Sequence, residues 1–421
     1  MKKSFGLLGE KLGHSFSPLI HGELGDYEYP LYEISPRDFH AFMKSRRFSG
    51  VNVTIPYKQA VIPYCASLSE EARLTGSVNT VVQGGNGLLH GHNTDYHGFC
   101  AMLERGGIDP EGKKALVLGD GGSARTVRAA LSGLGAREIV TVSRRGENHY
   151  GNTERHHDAE IIVNATPVGM FPDNGGSPLG LEGFGRLTGV ADLIYNPMRT
   201  KLLLHAERMG VPCVNGLTML VAQAEMANRL FMDGPARPEL VTAITSGIHR
   251  KTQNIALIGM PGCGKSTVGS RLARLMGRHF ADIDALIEAA AGKRIPEIFA
   301  ADGEGAFRLL ETRILGEEAK KNGIVIATGG GVVTVPENLD LLRQNSLIVH
   351  LKRDLAELMT AGRPLSQNVG IRTLAKERMP LYEAWSDCVI QAEAERATAR
   401  ILEIFASLPE GGKQGEGGRY S

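Results

Sequence analysis

Ile255-Ala256-Leu257-Ile258-Gly259-Met260-Pro261-Gly262-Cys263-Gly264-Lys265-Ser266-Thr267 is an apolar run that ends in G-x-x-x-x-G-K-[ST]. The run reads as a buried strand and the glycine turn opens a helix-forming stretch, the order a phosphate loop requires. Glycines there let backbone N–H groups wrap phosphates, Lys265 can reach the β/γ-phosphates, and the Ser266 hydroxyl is placed for Mg²⁺. Gly262, Cys263, Gly264, Lys265, Ser266 and Thr267 are thus the candidate ATP-binding residues. Cys263, beside Lys265 and a helix start, reads either as a reactive thiolate or as a small buried filler.

A second strand behaves alike: Ala115-Leu116-Val117-Leu118 runs into Gly119-Asp120-Gly121-Gly122-Ser123-Ala124, a G-x-G-x-x-A turn. Alone, that match reads equally as a dinucleotide loop or a plain turn. The next strand, Glu138 to Val142, is followed by Ser143-Arg144-Arg145, where an NAD site places an acid. Arginines there favour a 2′-phosphate, hence NADP; the other reading is a basic surface turn.

Outward from these two turns, strand-like and helical patterns alternate, which predicts α/β architecture with mostly parallel sheets. At 421 residues the chain is long enough for about three folded units. A net charge of +1 supplies no global field for nucleic acid or an anionic membrane surface, so neither is an expected partner. With 42% hydrophobic and 22% charged residues the composition is that of a folded chain. No apolar run reaches the ~18 residues of a membrane span. Five scattered cysteines without a CxxC pair fit a reducing, cytoplasmic setting. The polar segment 247–254 reads as a linker, and 409–421, without apolar content, as a disordered tail. Oligomeric state is left open.

In the later half, Asp282-Ile283-Asp284 puts two carboxylates on one side if extended, one for metal and one for substrate. Arg308 and Arg378 are suited to a substrate carboxylate, and Gly329-Gly330-Gly331 follows another apolar strand. Together with Gly303-Glu304, Phe307, Glu311, Arg363-Pro364-Leu365 and Tyr382, this segment, about residues 255 to 405, resembles shikimate kinase. The resemblance implies that Asp284 holds and activates the accepting hydroxyl and that Asp282 reaches Mg²⁺ through water. It implies also that Arg308, Arg378 and Gly330 bind shikimate, and that Arg363 covers ATP. Two departures stand out: the stretch from Leu351 to Arg363 is short, and Ser366 stands where the family commonly has leucine.

In the first half, Ser15 and Ser17 precede a helix opened by Pro18, a place suited to a carboxylate. Lys58 follows a strand and Asp95 lies in Asn93-Thr94-Asp95; such a couple can deliver the proton that a ketone oxygen needs when hydride reaches its carbon. His14-Ser15-Phe16-Ser17-Pro18, Asn52-Val53-Thr54-Ile55-Pro56 with Lys58, Val78-Asn79-Thr80, Asn164 to Met170, Tyr195-Asn196-Pro197 and Gly216-Leu217 with Gln223 resemble shikimate dehydrogenase over about residues 4 to 245. The resemblance implies a catalytic pair of Lys58 and Asp95, and substrate ligands Ser15, Ser17, Thr54, Asn79, Tyr195 and Gln223. NADP would lie on Gly119, Asp120, Gly121, Gly122, Ser123, Ser143, Arg144, Arg145 and Gly216. Only 20 residues separate Ser143 from Asn164, so the cofactor sheet is expected to be one strand smaller. Asp120 also sets a negative charge beside the pyrophosphate position.

The expected organisation is a substrate α/β domain (1–97), a Rossmann NADP domain (98–216), closing helices (217–246), the linker, a P-loop kinase α/β domain (255–408) and the tail. The expected function is reduction of 3-dehydroshikimate with NADPH followed by phosphorylation of shikimate with ATP and Mg²⁺. Alternatives are a quinate-type dehydrogenase joined to another polyol kinase, or a nucleotide-sensing scaffold. The scaffold predicts loss of Lys58, Asp95, Lys265 or Asp284, and all four are present.

Overall fold

The computed structural model describes residues 3–13, 16–358, 370–391 and 393–407. Ser15, Arg363, Ser366 and the tail 409–421 lie outside the described residues. The chain divides into two compact units, Met1–Asn196 with His205–Thr245, and Pro197–Leu204 with Ser246–Ser421.

The first unit holds two sheets. Across the first run Leu31–Glu33, Phe5–Gly9, Gly50–Val53, Thr80–Gln83, Leu89–His92 and Ser67–Leu68. The first three are mutually parallel, and Thr80–Gln83 pairs antiparallel on both sides. The second sheet is wholly parallel, in the order Cys213–Asn215, Gly189–Asp192, Ile161–Asn164, Lys114–Leu118, Glu138–Val142. Between the last of these in space and Ile161 the chain supplies only a 3₁₀ turn, Thr153–His156, and an isolated bridge from Ser143 to His149. The cofactor sheet therefore has five strands.

The second unit is one parallel sheet, Phe280–Asp282, Val325–Ala327, Asn254–Ile258, Ser346–Lys352, Cys388–Gln391. Asn254–Ile258 is buried at every residue, as expected of a strand covered on both faces, and the phosphate loop leaves from its carboxyl end.

Two local expectations are corrected. The segment 247–254 is not a loose linker: Pro238–Thr252 is a helix, and Gln253 alone separates it from the strand Asn254–Ile258. Ile244 and Ile248 are buried one helical turn apart, with Thr245 and Ser246 buried between them, so the helix continues through the polar stretch on packing rather than composition. Asp282 and Asp284 do not share an extended segment: the strand ends at Asp282, whose carboxylate caps the helix Ile283–Ala291 by accepting from the Ala285 N–H at 3.3 Å.

His21, 1% exposed, stacks on Tyr29 with centroids 3.9 Å apart, and its Nδ1 lies 2.7 Å from the Tyr27 hydroxyl. Burial lowers its pKa from 6.5 to about 3. Below pH 6.5 the unfolded chain takes up a proton that the folded imidazole refuses, so its contribution is complete above that value and lost as pH falls. About 2 kcal/mol should be gone by pH 5. Urea unfolding followed by near-UV tyrosine dichroism should therefore show the first unit losing stability between pH 7 and 5. His21→Gln should flatten that dependence; an equally steep acid limb in the variant refutes the assignment.

Candidate active sites

A cavity of about 540 Å³ in the first unit is lined by Ser17, Thr54, Lys58, Asn79, Asp95, Tyr195 and Gln223, together with Ser123 and Gly216 from the cofactor motif. Every described residue expected to bind substrate there is brought together. Lys58 Nζ donates to Asp95 Oδ2 at 2.6 Å, both side chains being mostly buried. Asp95 sits in the first turn of the helix Thr94–Gly106, where the helix dipole favours a carboxylate. Asn93 caps that helix by accepting from the Tyr96 N–H and is itself tied to Thr75 Oγ1 and the Ser77 carbonyl. The Lys58 carbonyl accepts from the Val78 N–H at 2.8 Å, which fixes the lysine's backbone. Burial pushes the Tyr195 phenol pKa up. Lys11, Asn52 and Met219 also line the cavity. None of the three is given a role by sequence; Asn52 is visible there only as the first letter of the motif that leads to Lys58.

On the cofactor side, Gly119 has φ +105°, and a Cβ there would come within 3.0 Å of Thr166 Cγ2 and 3.2 Å of the Ala165 carbonyl, so glycine is required. The turn delivers its amides to the start of the helix Gly122–Gly133. Ser143 is buried and donates to the Arg145 carbonyl, leaving Arg144 and Arg145 exposed at the strand end. Tyr150 has no counterpart among the sequence expectations: burial raises its pKa, the Asp120 carboxylate adds to that, and Arg144 opposes it. With its carboxamide oxygen toward Arg125, Gln59 accepts from both guanidinium nitrogens at 2.6 and 3.3 Å, joining the residue after Lys58 to the cofactor helix.

In the second unit Gly259 has φ +146°, and a Cβ would meet the Leu351 carbonyl at 2.5 Å. Lys265 is 8% exposed and donates to the Gly259 and Met260 carbonyls at 2.9 and 3.1 Å. Cys263 is buried, as a filler would be, while its sulfur lies 3.9 Å from Lys265 Nζ, the neighbour that the reactive reading invokes; Ser266 and Thr267 lie at the start of the helix Lys265–Met276. Around the triple glycine the charged residues converge. Arg308 is held by Glu304 and Glu311, the latter at 2.7 Å. Glu311 is fully buried, which raises its pKa against the pull of Arg308. A Cβ on Gly329 would lie 2.8 Å from Asp284 Oδ1, and one on Gly331 would collide with the Arg308 guanidinium. The Gly330 carbonyl accepts from Arg378 Nη1 at 3.2 Å and from the Tyr382 hydroxyl. Asp284, Arg308, Gly330 and Arg378 are thus neighbours, with Glu311 and Tyr382 behind them.

Gly330 also packs on the phosphate loop: a Cβ there would stand 2.6 Å from Pro261 Cγ and 3.0 Å from its backbone nitrogen. Gly330→Ala should push the two loops apart. The expected result is a fall of about a hundredfold in kcat/KM for phosphoryl transfer, with ketone reduction by the same chain unchanged, measured by coupled assay.

Two family models match the chain: the shikimate dehydrogenase substrate binding domain over residues 7–81 and shikimate kinase over 261–409. A shikimate dehydrogenase (NADP(+)) of Clostridium perfringens strain SM101 is 38% identical over 251 residues, covering 54% of this chain and 92% of that protein. The structure of shikimate 5-dehydrogenase from Thermus thermophilus in complex with NADP(H) and shikimate is 33% identical with a TM-score of 0.53, covering 58% of this chain and 98% of that one. The quinate dehydrogenase from Corynebacterium glutamicum in complex with NAD is 28% identical with a TM-score of 0.54, covering 58% and 99%. The dehydrogenase relatives cover a stretch about as long as the first unit, and the kinase family model covers four of the five strands of the second unit's sheet, all but Asn254–Ile258. The chain belongs to the shikimate dehydrogenase family through its first unit, carries a shikimate kinase domain in its second, and is a bifunctional enzyme of the shikimate pathway.

Proposed function

We propose that the first unit reduces 3-dehydroshikimate to shikimate with NADPH and that the second transfers the γ-phosphoryl group of ATP to the 3-hydroxyl of shikimate. The observation that carries the reading is the Lys58–Asp95 pair at 2.6 Å in a cavity that also takes in Ser123 and Gly216. NADPH, when bound, supplies the hydride to the carbonyl carbon. Lys58 donates a proton to the carbonyl oxygen as that carbon is reduced, and Asp95 keeps the ammonium aimed and charge-balanced. Ser17, Thr54, Asn79, Tyr195 and Gln223 hold the substrate's hydroxyls and carboxylate, joined by Ser15 before the same helix. Gly119 to Ser123 face the pyrophosphate, with Ser143, Arg144 and Arg145 at the 2′-phosphate.

In the second unit Asp284 accepts the proton of the attacking hydroxyl while Arg308, Arg378 and the Gly330 loop hold the acid. The new O–P bond forms as the bond to ADP breaks, and Lys265 meets the charge on the β/γ-oxygens. Ser266, at the helix start, would hold Mg²⁺ through its hydroxyl and Asp282 would approach it through water; the ion would offset charge on the phosphate oxygens. Arg363 is assigned to ATP by resemblance alone.

Lys58→Ala should lower ketone reduction by 10²- to 10⁴-fold while sparing phosphorylation of added shikimate, and Lys265→Ala should do the reverse; either substitution silencing both activities refutes the assignment. NADPH should exceed NADH in kcat/KM by roughly tenfold or more, and Arg144→Ala with Arg145→Ala should erase the difference. The similarity to a quinate dehydrogenase that binds NAD motivates a second reading. Higher kcat/KM for 3-dehydroquinate than for 3-dehydroshikimate would establish it.

A further inference from the structure

The polar floor of the first unit's cavity is a row of hydrogen bonds cross-linked at Thr94, whose Oγ1 also lies 3.3 Å from Asn79 Oδ1 and from Thr80 Oγ1. Tyr29 Oη donates to Asn52 Oδ1 at 2.6 Å, Asn52 Nδ2 to Thr80 Oγ1 at 3.0 Å, and Thr80 Oγ1 to Asn79 Oδ1 at 3.2 Å. Asn79 Nδ2 then donates to Thr94 Oγ1 at 3.0 Å, Thr94 Oγ1 to Gln223 Oε1 at 3.4 Å, and Gln223 Nε2 to the Leu220 carbonyl at 2.9 Å. Asn52, Asn79 and Gln223 line the cavity, whereas Tyr29 does not.

At the far end of the row, backbone groups decide which way the amides face. The Leu220 carbonyl can only accept, so Gln223 must turn its NH₂ toward it. The Thr94 N–H can only donate, and it reaches Asn79 Oδ1 at 2.7 Å. No backbone group holds the Asn52 amide among the described residues, and its neighbour Thr80 carries a hydroxyl that donates or accepts equally well. Tyr29, with the His21 ring stacked on it and also bearing on Asn52, is therefore what keeps that amide from turning over. The Tyr29 side chain is half-buried, its hydroxyl is shielded from water, and Asn52 Oδ1 is the acceptor it reaches. Turning the amide would leave that O–H without its partner.

We propose that Tyr29 is a positioning residue of the dehydrogenase: by donating to Asn52 Oδ1 it fixes which way the Asn52 amide faces, so that Asn52 offers the cavity an N–H and binds an acceptor oxygen of the polyol acid. This rests on the reading of the cavity as the substrate site. The Tyr29 ring, stacked on His21, is retained in Tyr29→Phe, so the substitution removes the donor alone.

The test is steady-state kinetics of the full chain with 3-dehydroshikimate and NADPH, and with shikimate in the reverse direction. Tyr29→Phe should raise KM for both acids about 3- to 10-fold, leave KM for NADPH unchanged and keep kcat within about twofold. In an Asn52→Ala background the same substitution should add nothing, since its target is gone. Phosphorylation of shikimate by the same preparations reports that the chain is intact. If Tyr29→Phe does not fold, Thr80→Val, which breaks the row one bond further on, should show the same KM rise. An unchanged KM, a loss confined to kcat, or an undiminished effect in the Asn52→Ala background overturns the inference. Lys58→Ala retaining the wild-type rate instead overturns the reading of the site, and the inference with it.

Discussion

An ammonium group in a half-enclosed cleft has to be both neutralised and aimed, and the 2.6 Å contact between Lys58 and Asp95 does both. A lysine on a flexible four-carbon stem gains a defined position only when its partner is rigid. That rigidity comes from the helix Thr94–Gly106: Asn93 caps it, the cap is tied to Thr75 and Ser77, and the carboxylate lies in the first turn. The remaining groups in the cavity arrive from distant stretches of chain, Tyr195 after the strand Gly189–Asp192 and Gln223 from the helix Leu217–Met232. The two sheets of the first unit serve to bring these to the pair.

The second unit depends on a carbonyl rather than an ion pair. Gly330 presents its oxygen to Arg378 and Tyr382 and its bare Cα to Pro261, so one residue ties the expected substrate arginine to the phosphate loop. Tyr382 stacks on His350, with centroids 5.1 Å apart, and His350 in turn approaches Gly259. Burial first, and the neighbouring Lys352 next, push the His350 pKa down to about 4, so a neutral ring backs the loop at ordinary pH. A charged one would repel Lys265 from the carbonyls that hold it.

What can be read from sequence follows from how locally each feature is encoded. The glycine turns are legible because backbone geometry and phosphate approach demand glycine at fixed spacing, and Gly119 and Gly259 adopt the positive φ values that imposes. Lys58 and Asp95 are legible as residue types within short motifs. Tyr29 is not, because its role is defined by a partner 23 residues away and by the side of the sheet on which that partner lies. His21 and His350 escape for a related reason: a buried neutral histidine looks the same in sequence as an exposed one. The supposed linker misleads through composition, since the buried side of its helix carries Thr245 and Ser246 as well as Ile244 and Ile248, and polar residues dominate the window. Asp282 misleads through periodicity: two carboxylates at i and i+2 suggest one strand face until the cap at Ala285 shows the helix beginning between them.

The near-zero net charge excludes a global electrostatic field, yet both proposed substrates are anions, and the structure resolves that tension locally. Lys58 is offset by Asp95, and Arg308 by Glu304 and Glu311, so neither is a surplus cation waiting for an acid. Recognition of an anion at such positions leans on directed N–H groups, at helix starts, glycine turns and oriented amides, joined in the second unit by the proposed clamp of Arg308 and Arg378, the latter buried against the Gly330 carbonyl. A charge attracts any anion, whereas a row of oriented donors accepts only oxygens in the right places. On the proposed reading the selectivity for a small polyol acid lies in residues such as Asn52, Asn79 and Gln223, whose geometry is set by hydrogen bonding, which accounts for a cavity floor that is buried and polar at once.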